Sequence, residues 1–296
     1  MTNFDHTPVL LDPVMEFIDP KSGGVYADVT LGGAGHARAI LERSGPDGRL
    51  VGTDRDPTAL EAGREALGDY ADRAWVRKAR ISELPDVLRA LQVDGVDGLV
   101  ADLGVSSVQF DRAERGFSLA QDGPIDMRMD PTEGDTALDL IASSSAEELA
   151  DVIYQYGEER RSRRVARALR QAYEEGALRT TGDLRRTVHR ATGPKRGRID
   201  PATRTFQALR IAVNEELAEL ESLLEYLPSV LREGGVAAVI SFHSLEDRLV
   251  KHAFRDNPAL EPLTKRPVVA DDDERARNPR SRSAKLRAAR HVEAAA

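Results

Sequence analysis

The sequence predicts an α/β fold: a Rossmann-like, doubly wound parallel sheet interrupted by a helical module. Three observations carry this expectation. Over roughly the first hundred residues, short apolar runs alternate with helix-patterned segments, as when crossover helices join parallel strands. The alternation then gives way to a long stretch of loop and helix signals. It resumes with an apolar strand after Gly234-Gly235.

Val25 to Val29 reads as the first strand, His36 to Arg43 as a helix, Leu50 to Thr53 as the second strand and Pro57 to Leu67 as a helix. Trp75-Val76 marks a short third strand, Glu83 to Leu91 a helix with Ser82 as its N-cap, and Gly98 to Ala101 a fourth strand. Gly104 to Asp135 is rich in loop signals, including Gly-Pro and Asp-Pro breaks. Ser145-Ala-Glu-Glu148 has capping-box spacing and opens a run of helices. Asp200-Pro201 supplies an N-cap and a first-turn proline for a helix reaching about Tyr226. Val236 to Ile240 is the fifth strand. The expected organisation is a core in two parts, 1–110 and 216–270, an inserted helical substrate-recognition domain at 111–215, and a basic C-terminal tail at 271–296. With its low apolar content, that tail is expected to order only on a partner.

In 296 residues, 41% hydrophobic content is enough for a core, and the length suits one large domain plus a smaller module. There is no 18-residue apolar run and no secretory pattern at MTNFDHTPVLLDP, so a cytoplasmic protein without a membrane partner is expected. Zero cysteines and six scattered histidines give no metal-binding spacing, and no metal is expected. The net charge of −8 is unevenly spread. Residues 158–210 hold 15 Lys/Arg against 6 Asp/Glu, and 275–290 hold seven basic residues and no acid. Such segregation gives two basic surfaces on an acidic body, a pattern suited to docking phosphates, although arginine-rich helices also serve simply as solvated faces.

Asp28-Val-Thr-Leu-Gly32-Gly33-Ala34-Gly35-His36 closes the first strand and enters a helix. Glycines there let a ligand approach the backbone, and tight strand-helix packing uses them equally well. Two carboxylates sharpen the ligand reading. Asp54 ends the second strand, where it can accept hydrogen bonds from a ribose diol, and Asp102 ends the fourth. Three carboxylates at strand ends imply a neutral or cationic ligand with hydroxyls. A pyrophosphate would be repelled, and Arg38 stands where a dinucleotide fingerprint needs a small residue. S-adenosyl-L-methionine, with a sulfonium, an α-amino group and a ribose diol, suits this cradle.

Further motifs run along almost the whole chain: His6-Thr-Pro-Val-Leu-Leu11, Asp102-Leu-Gly-Val-Ser-Ser107, Gln109, Glu114-Arg-Gly-Phe-Ser118 and Asp122-Gly-Pro-Ile-Asp-Met-Arg-Met-Asp130. Tyr156-Gly-Glu-Glu-Arg160, Pro201 to Arg210, Asn214-Glu-Glu-Leu217, Ser241 to Arg248, Asn278-Pro-Arg280 and Ser283-Ala-Lys-Leu-Arg287 continue the series. In these the chain resembles the RsmH (MraW) family of 16S rRNA cytosine-N4 methyltransferases. The resemblance implies a class I S-adenosylmethionine-dependent methyltransferase fold with an inserted helical domain. It also implies a substrate cytidine in the decoding region of 16S ribosomal RNA, met within the small ribosomal subunit. Ala34, Gly35, His36, Asp54, Ile81, Asp102 and Gln109 are implied to line the cofactor site. Ala34 replaces a usual glycine and Ile81 a usual aromatic residue; the alanine leaves its backbone N–H contacts intact if its φ is negative.

A cytosine exocyclic amine is a poor nucleophile, so catalysis must align it with the methyl group and accept its hydrogen bonds. Asp102 is the leading candidate, as cofactor ligand or as amine acceptor; Ser106, Ser107 and His243 follow. His243 could equally just precede a helix capped by Ser244-Leu-Glu-Asp247. Phe117, Met127 and Met129 are candidates to stack on a flipped base, or else core residues. Among Arg160 to Arg170 only a subset can face RNA. Two competing readings are methylation of a non-RNA substrate and a non-catalytic RNA-binding assembly factor on a methyltransferase fold. Intact Asp28, Asp54 and Asp102 speak against the latter, and the segregated charge against the former.

Overall fold

The computed structural model describes residues 8–193 and 200–293. His6, Thr7 and the basic Lys195, Arg196 and Arg198 lie outside them. The chain divides into two compact units, Met1–Ser106 with Leu217–Ala296, and Ser107–Glu216. The first unit begins α1 (Leu11–Ile18), β1 (Val25–Asp28), α2 (Gly35–Arg43), β2 (Arg49–Asp54), α3 (Pro57–Ala66), β3 (Ala74–Lys78), α4 (Leu84–Ala90) and β4 (Val96–Asp102). The intervening segment supplies α5 (Ser107–Phe110), α6 (Ala137–Ser143), α7 (Ala146–Gly157), α8 (Ser162–Glu174), α9 (Thr181–Thr192) and α10 (Thr203–Asn214). The chain then completes α11 (Glu216–Val230), β5 (Leu231–Ser241), α12 (Ser244–Asp256), β6 (Leu260–Pro262), α13 (Asp272–Arg277) and β7 (Lys285–His291).

Among the described residues seven strands form one sheet in the order β3-β2-β1-β4-β5-β7-β6. β1 to β5 pair in parallel, and β7 runs antiparallel between β5 and β6. This is the class I methyltransferase sheet, Rossmann-like and doubly wound. Side chains alternate between two buried faces, as expected of a parallel sheet covered on both sides. Leu50, Val100, Ala238, Ile240 and Leu286 meet α1 and α2 on one face. Val51, Leu99, Ala237 and Val239 meet Leu223 and Leu227 of α11 on the other. Strand order reverses at β1, whose neighbours are β2 and β4, and ligands of open α/β sheets bind beyond the carboxyl ends at such a switch point. Asp28 and Asp102 stand there.

Three local expectations are corrected. Ser82 does not cap a helix: a 3-10 turn, Ile81–Glu83, precedes α4, and the Ser82 N–H and hydroxyl both donate to the buried Glu219 carboxylate. The helix expected to reach Tyr226 breaks at Glu215, whose φ of 55° caps α10, while the Asn214 amide donates to the Met127 and Arg210 carbonyls. The C-terminal segment, expected to order only on a partner, folds as α13, a 3-10 turn and β7. Small alanines let the middle of β7, Leu286 to Ala289, sit buried: Ala288 and Ala289 fit where larger apolar residues would have announced a strand. Its cations are engaged internally, Arg287 and Lys285 with Asp247 and Arg290 with Glu261.

In the second unit α7 packs against α8 and α10, and α8 against α9. Leu149, Ile153, Val165, Leu169, Leu184 and Val188 are buried in it. The capping box read at Ser145 is present, its side chain accepting from the Glu148 N–H.

Candidate functional site

At the end of β1, Asp28 is almost fully buried, and its Oδ1 accepts the Thr30 N–H at 3.1 Å and the Thr30 hydroxyl at 3.4 Å. The same Thr30 Oγ1 accepts the Asp102 N–H at 2.6 Å, so one threonine fixes the carboxyl ends of β1 and β4 together. Burial raises the Asp28 carboxyl to about 6, against the opposing charge of His36, with Asp102 adding to the rise.

The turn after β1 is strained. Gly32 has φ 51° and Ala34 φ 59°, a left-handed conformation that costs an L side chain roughly 1–2 kcal/mol. This overturns the condition under which Ala34 would offer its N–H to a ligand: that N–H donates to the Leu31 carbonyl at 2.6 Å. Gly35 has a packing reason, because a Cβ there would fall 2.2 Å from Pro8 Cγ. His36 is buried with Nε2 3.0 Å from the Val9 carbonyl. A carbonyl only accepts, so Nε2 carries the proton. Gly35 and His36 thus hold the segment before α1 against the glycine turn, and the electrostatic reach of His36 extends to Asp28 and Asp102.

Asp54 Oδ2 accepts the Gly32 N–H and Oδ1 the Asp56 N–H, each at 2.9 Å. Burial nevertheless lifts its carboxyl to about 6, the two N–H donors working against that rise. The residue remains part-exposed, so its further lone pairs can meet a ligand hydroxyl. Beyond β3, the Ala79 N–H donates to the Asp54 carbonyl, which places the 3-10 turn carrying Ile81 beside Asp54. Tyr226 donates to the Ile81 carbonyl at 2.7 Å and fixes that turn.

Among the described residues, Asp102 Oδ1 is buried without a hydrogen-bond partner. Burial raises its pKa, Glu246 adds to the rise, and His36 and Arg280 oppose it. Ser106 lies against the glycine turn, its Cβ 3.8 Å from where a Gly32 Cβ would stand. The side chain of Ser107 lies outside those described. His243 follows β5 and is itself the N-cap of α12: its Nδ1 accepts the Glu246 N–H at 3.4 Å, while Glu246 Oε2 accepts the His243 N–H. The cap expected at Ser244 therefore begins one residue earlier. In the neutral ring this tautomer leaves the proton on Nε2, 3.1 Å from Glu246 Oε1, so His243 can donate at Nε2 but cannot take a proton there.

Sequence reasoning missed two groups near Asp102. Glu246 is buried, and its helical capping spacing concealed its nearness to the site. Arg280 donates to the Val105 carbonyl, and the Asn278-Pro-Arg280 motif was the one signal pointing to it.

In the second unit Gln109 is buried in α5. Phe117 and Met127 are buried core residues, not exposed stacking platforms, and the Met129 N–H is taken by Asn214 Oδ1. Arg170 turns back to the Ile141 and Ala142 carbonyls and Arg161 to the Thr192 carbonyl, whereas Arg160, Arg163, Arg164 and Arg167 are exposed. Asp200 accepts the Ala202 N–H and holds His189 and Arg185. Burial alone would raise its pKa, but these hydrogen bonds prevail and hold it at about 2.

The donor set at the sheet edge fits a cationic ligand bearing hydroxyls. Asp28, Asp54 and Asp102 are all raised by burial, and the orphaned Asp102 oxygen has acceptor capacity to spare. No helix among the described residues is long and apolar enough to cross a membrane.

Among solved structures, TrmN from Thermus thermophilus matches at 12% identity with a TM-score of 0.46, covering 96% of this chain and 48% of that one. Aeropyrum pernix fibrillarin matches at 12% identity and a TM-score of 0.43, covering 91% of this chain and 67% of that one. Sequence relatives are far nearer. The Sorangium cellulosum protein named ribosomal RNA small subunit methyltransferase H is 58% identical over 288 residues, 97% of this chain and 91% of its own length. The protein of the same name from Geobacter sulfurreducens is 51% identical, covering 97% and 98%. The model of one family matches residues 3–292, from before α1 to beyond β7, and with relatives this similar over nine-tenths or more of their lengths the chain belongs to the MraW methylase family.

Proposed function

We propose that this chain transfers a methyl group from S-adenosyl-L-methionine to the exocyclic N4 of a cytidine in the decoding region of 16S ribosomal RNA, met within the small ribosomal subunit. The observation that carries this reading is the buried, unpartnered Asp102 oxygen at the switch point of a methyltransferase sheet. Family membership and the names of the relatives support the RNA substrate. Asp28, Asp54 and Asp102 would hold the cofactor, with Ile81 covering its adenine and the turn at Ala34 to His36 closing beside it. Bound there, S-adenosyl-L-methionine supplies an electrophilic methyl group.

Asp102 Oδ1 accepts a hydrogen bond from the amine, which localises the nitrogen lone pair and aims it at the methyl group. Its raised pKa also makes it a stronger base than an ordinary carboxylate, suited to the proton the amine sheds. Ser106 is placed to orient the substrate beside the glycine turn. His243 serves as cap and donor, not as base. In the second unit the exposed Arg160, Arg163, Arg164 and Arg167 are available to phosphates, with Arg163 and Arg167 one turn apart on α8.

Tritiated methyl transfer to bulk RNA, to protein and to isolated small subunits, followed by mass-spectrometric mapping of the labelled nucleotide, tests the proposal. Label confined to one cytidine of small-subunit RNA is the expected result. Label on protein, or none in the presence of bound cofactor, overturns it.

A further inference from the structure

The C-terminal segment carries a cation to the carboxyl edge of the sheet. Arg280 lies in the 3-10 turn Pro279–Ser283, whose entry is fixed by Asn278: its Oδ1 accepts the Arg280 N–H at 3.2 Å. Within the turn Ser281 is buried and donates to the Asn278 carbonyl at 2.8 Å. Beyond it, β7 locks the segment into the sheet. From this rigid base the Arg280 guanidinium donates to the Val105 carbonyl.

Val105 stands three residues past Asp102, in a turn of unusual backbone. Gly104 has φ 87°, and the Leu103 N–H is given to the Ile240 carbonyl of β5. Arg280 and Ile240 thus grip the turn from two sides. The charged groups facing Asp102 are Asp28 from β1, His36 from α2, Glu246 from α12 and Arg280 from the C-terminal turn. Among them the guanidinium keeps its charge at every working pH.

We propose that Arg280 is a positioning residue for methyl transfer, holding the Val105 carbonyl so that the turn 103–106 presents Asp102 and Ser106 in reacting orientation. This rests on the methyltransferase reading above. A lysine would keep the charge but not the planar fork that fixes a carbonyl while facing a carboxylate. Loss of charge and loss of geometry are therefore separable.

The test compares the full-length parent with Arg280→Ala and Arg280→Lys. Amide hydrogen exchange over 103–106 should rise in the alanine variant while the amides of Leu99 to Ala101 stay protected. Single-turnover methyl transfer to small subunits at saturating cofactor should fall by roughly tenfold or more, the worth of a hydrogen bond to a charged group. The acid limb of its pH profile should move to higher pH, because Asp102 loses a cation that favours its ionised form. The lysine variant should return the acid limb to the parent position without restoring the rate. Unaltered exchange over 103–106, or an unaltered rate, overturns the proposal. If Arg280→Ala loses protection across the whole sheet it is a folding variant, and the lysine variant decides by exchange and rate. If the parent binds cofactor yet methylates no RNA, the functional reading fails. Exchange over 103–106 and the Asp102 titration followed by NMR in the variants then decide the role of Arg280 independently.

Discussion

Asp54 Oδ2 accepts the Gly32 N–H at 2.9 Å, and this one bond ties the end of β2 to the strained turn that follows β1. The same carboxylate holds the entry to α3 through the Asp56 N–H. A residue expected only to meet a ribose therefore also shapes the cradle in which a ribose would lie.

Asp54→Ala should weaken S-adenosyl-L-methionine binding by roughly 1.5 to 3 kcal/mol, the typical worth of hydrogen bonds to a charged group. It should lower the thermal midpoint as well, since two backbone N–H groups lose their acceptor. Asp54→Asn keeps one acceptor oxygen and should fall between alanine and the parent. Calorimetry giving parental affinity for the alanine variant would remove Asp54 from the site.

A second prediction follows from the carboxyl of Asp28, raised from 3.8 to about 6. Its folded pKa exceeds its unfolded one, so between these values the folded state binds more protons. The stability it contributes is present below about pH 4 and lost as pH rises to about 6, by no more than about 3 kcal/mol. A cationic ligand has the opposite preference, favouring the ionised form. Cofactor affinity should therefore decline as pH falls below about 6, with protons released on binding. Calorimetry in buffers of different ionisation enthalpy measures that release. Asp28→Asn should flatten the stability profile across the same window, and a profile identical to the parent's would place the buried charge elsewhere.

The strands were legible because each parallel strand is a run of apolar residues flanked by turn signals, and Asp28, Asp54 and Asp102 could be placed at strand ends by counting. β7 escaped notice because Lys285-Leu-Arg-Ala-Ala-Arg-His291 sets a single leucine among basic residues and alanines, and the pairing with Asp247 is what makes the buried Arg287 tolerable there. The roles of Gly35 and His36 depend on Pro8 and Val9, residues distant along the chain that no local pattern connects to them. Arg280 was hidden for the same reason. Its partner Val105 belongs to another motif, and charge counting assigned the whole segment to solvent or RNA.

The placement of β7 decides what truncation does. Removing the residues after Asp271 would cost a loose, basic tail only its RNA contacts, but here it deletes the strand between β5 and β6. The truncated chain should lose cooperative unfolding and cofactor binding together, not merely RNA affinity. A milder probe is Leu286→Ala, which should cost about 2 to 5 kcal/mol, because Leu286 is fully buried against Val268 and Ile240. Chemical denaturation measures both. A truncated chain that unfolds cooperatively and binds cofactor would show β7 to be dispensable.

Asp102→Asn separates chemistry from folding. The amide keeps the shape of the carboxylate, and because burial already disfavours the ionised form, losing the charge should leave stability at pH 7 unchanged or raised. Methyl transfer should nevertheless fall, since an amide oxygen, although it still accepts a hydrogen bond, lacks the negative charge and the basicity that the carboxylate offers the amine. Loss of one preorganised electrostatic contact in a desolvated site removes about 2.7 to 4 kcal/mol of transition-state stabilisation, or roughly a hundredfold to thousandfold in rate. The measurement requires saturating cofactor, so that a binding defect is not read as a chemical one. An inactive variant that binds cofactor as tightly as the parent assigns Asp102 to the amine. A variant that turns over at the parental rate removes Asp102 from catalysis and leaves Ser106 as the next residue to replace, because the Nδ1 lone pair of His243 already accepts the Glu246 N–H and its Nε2 carries the proton.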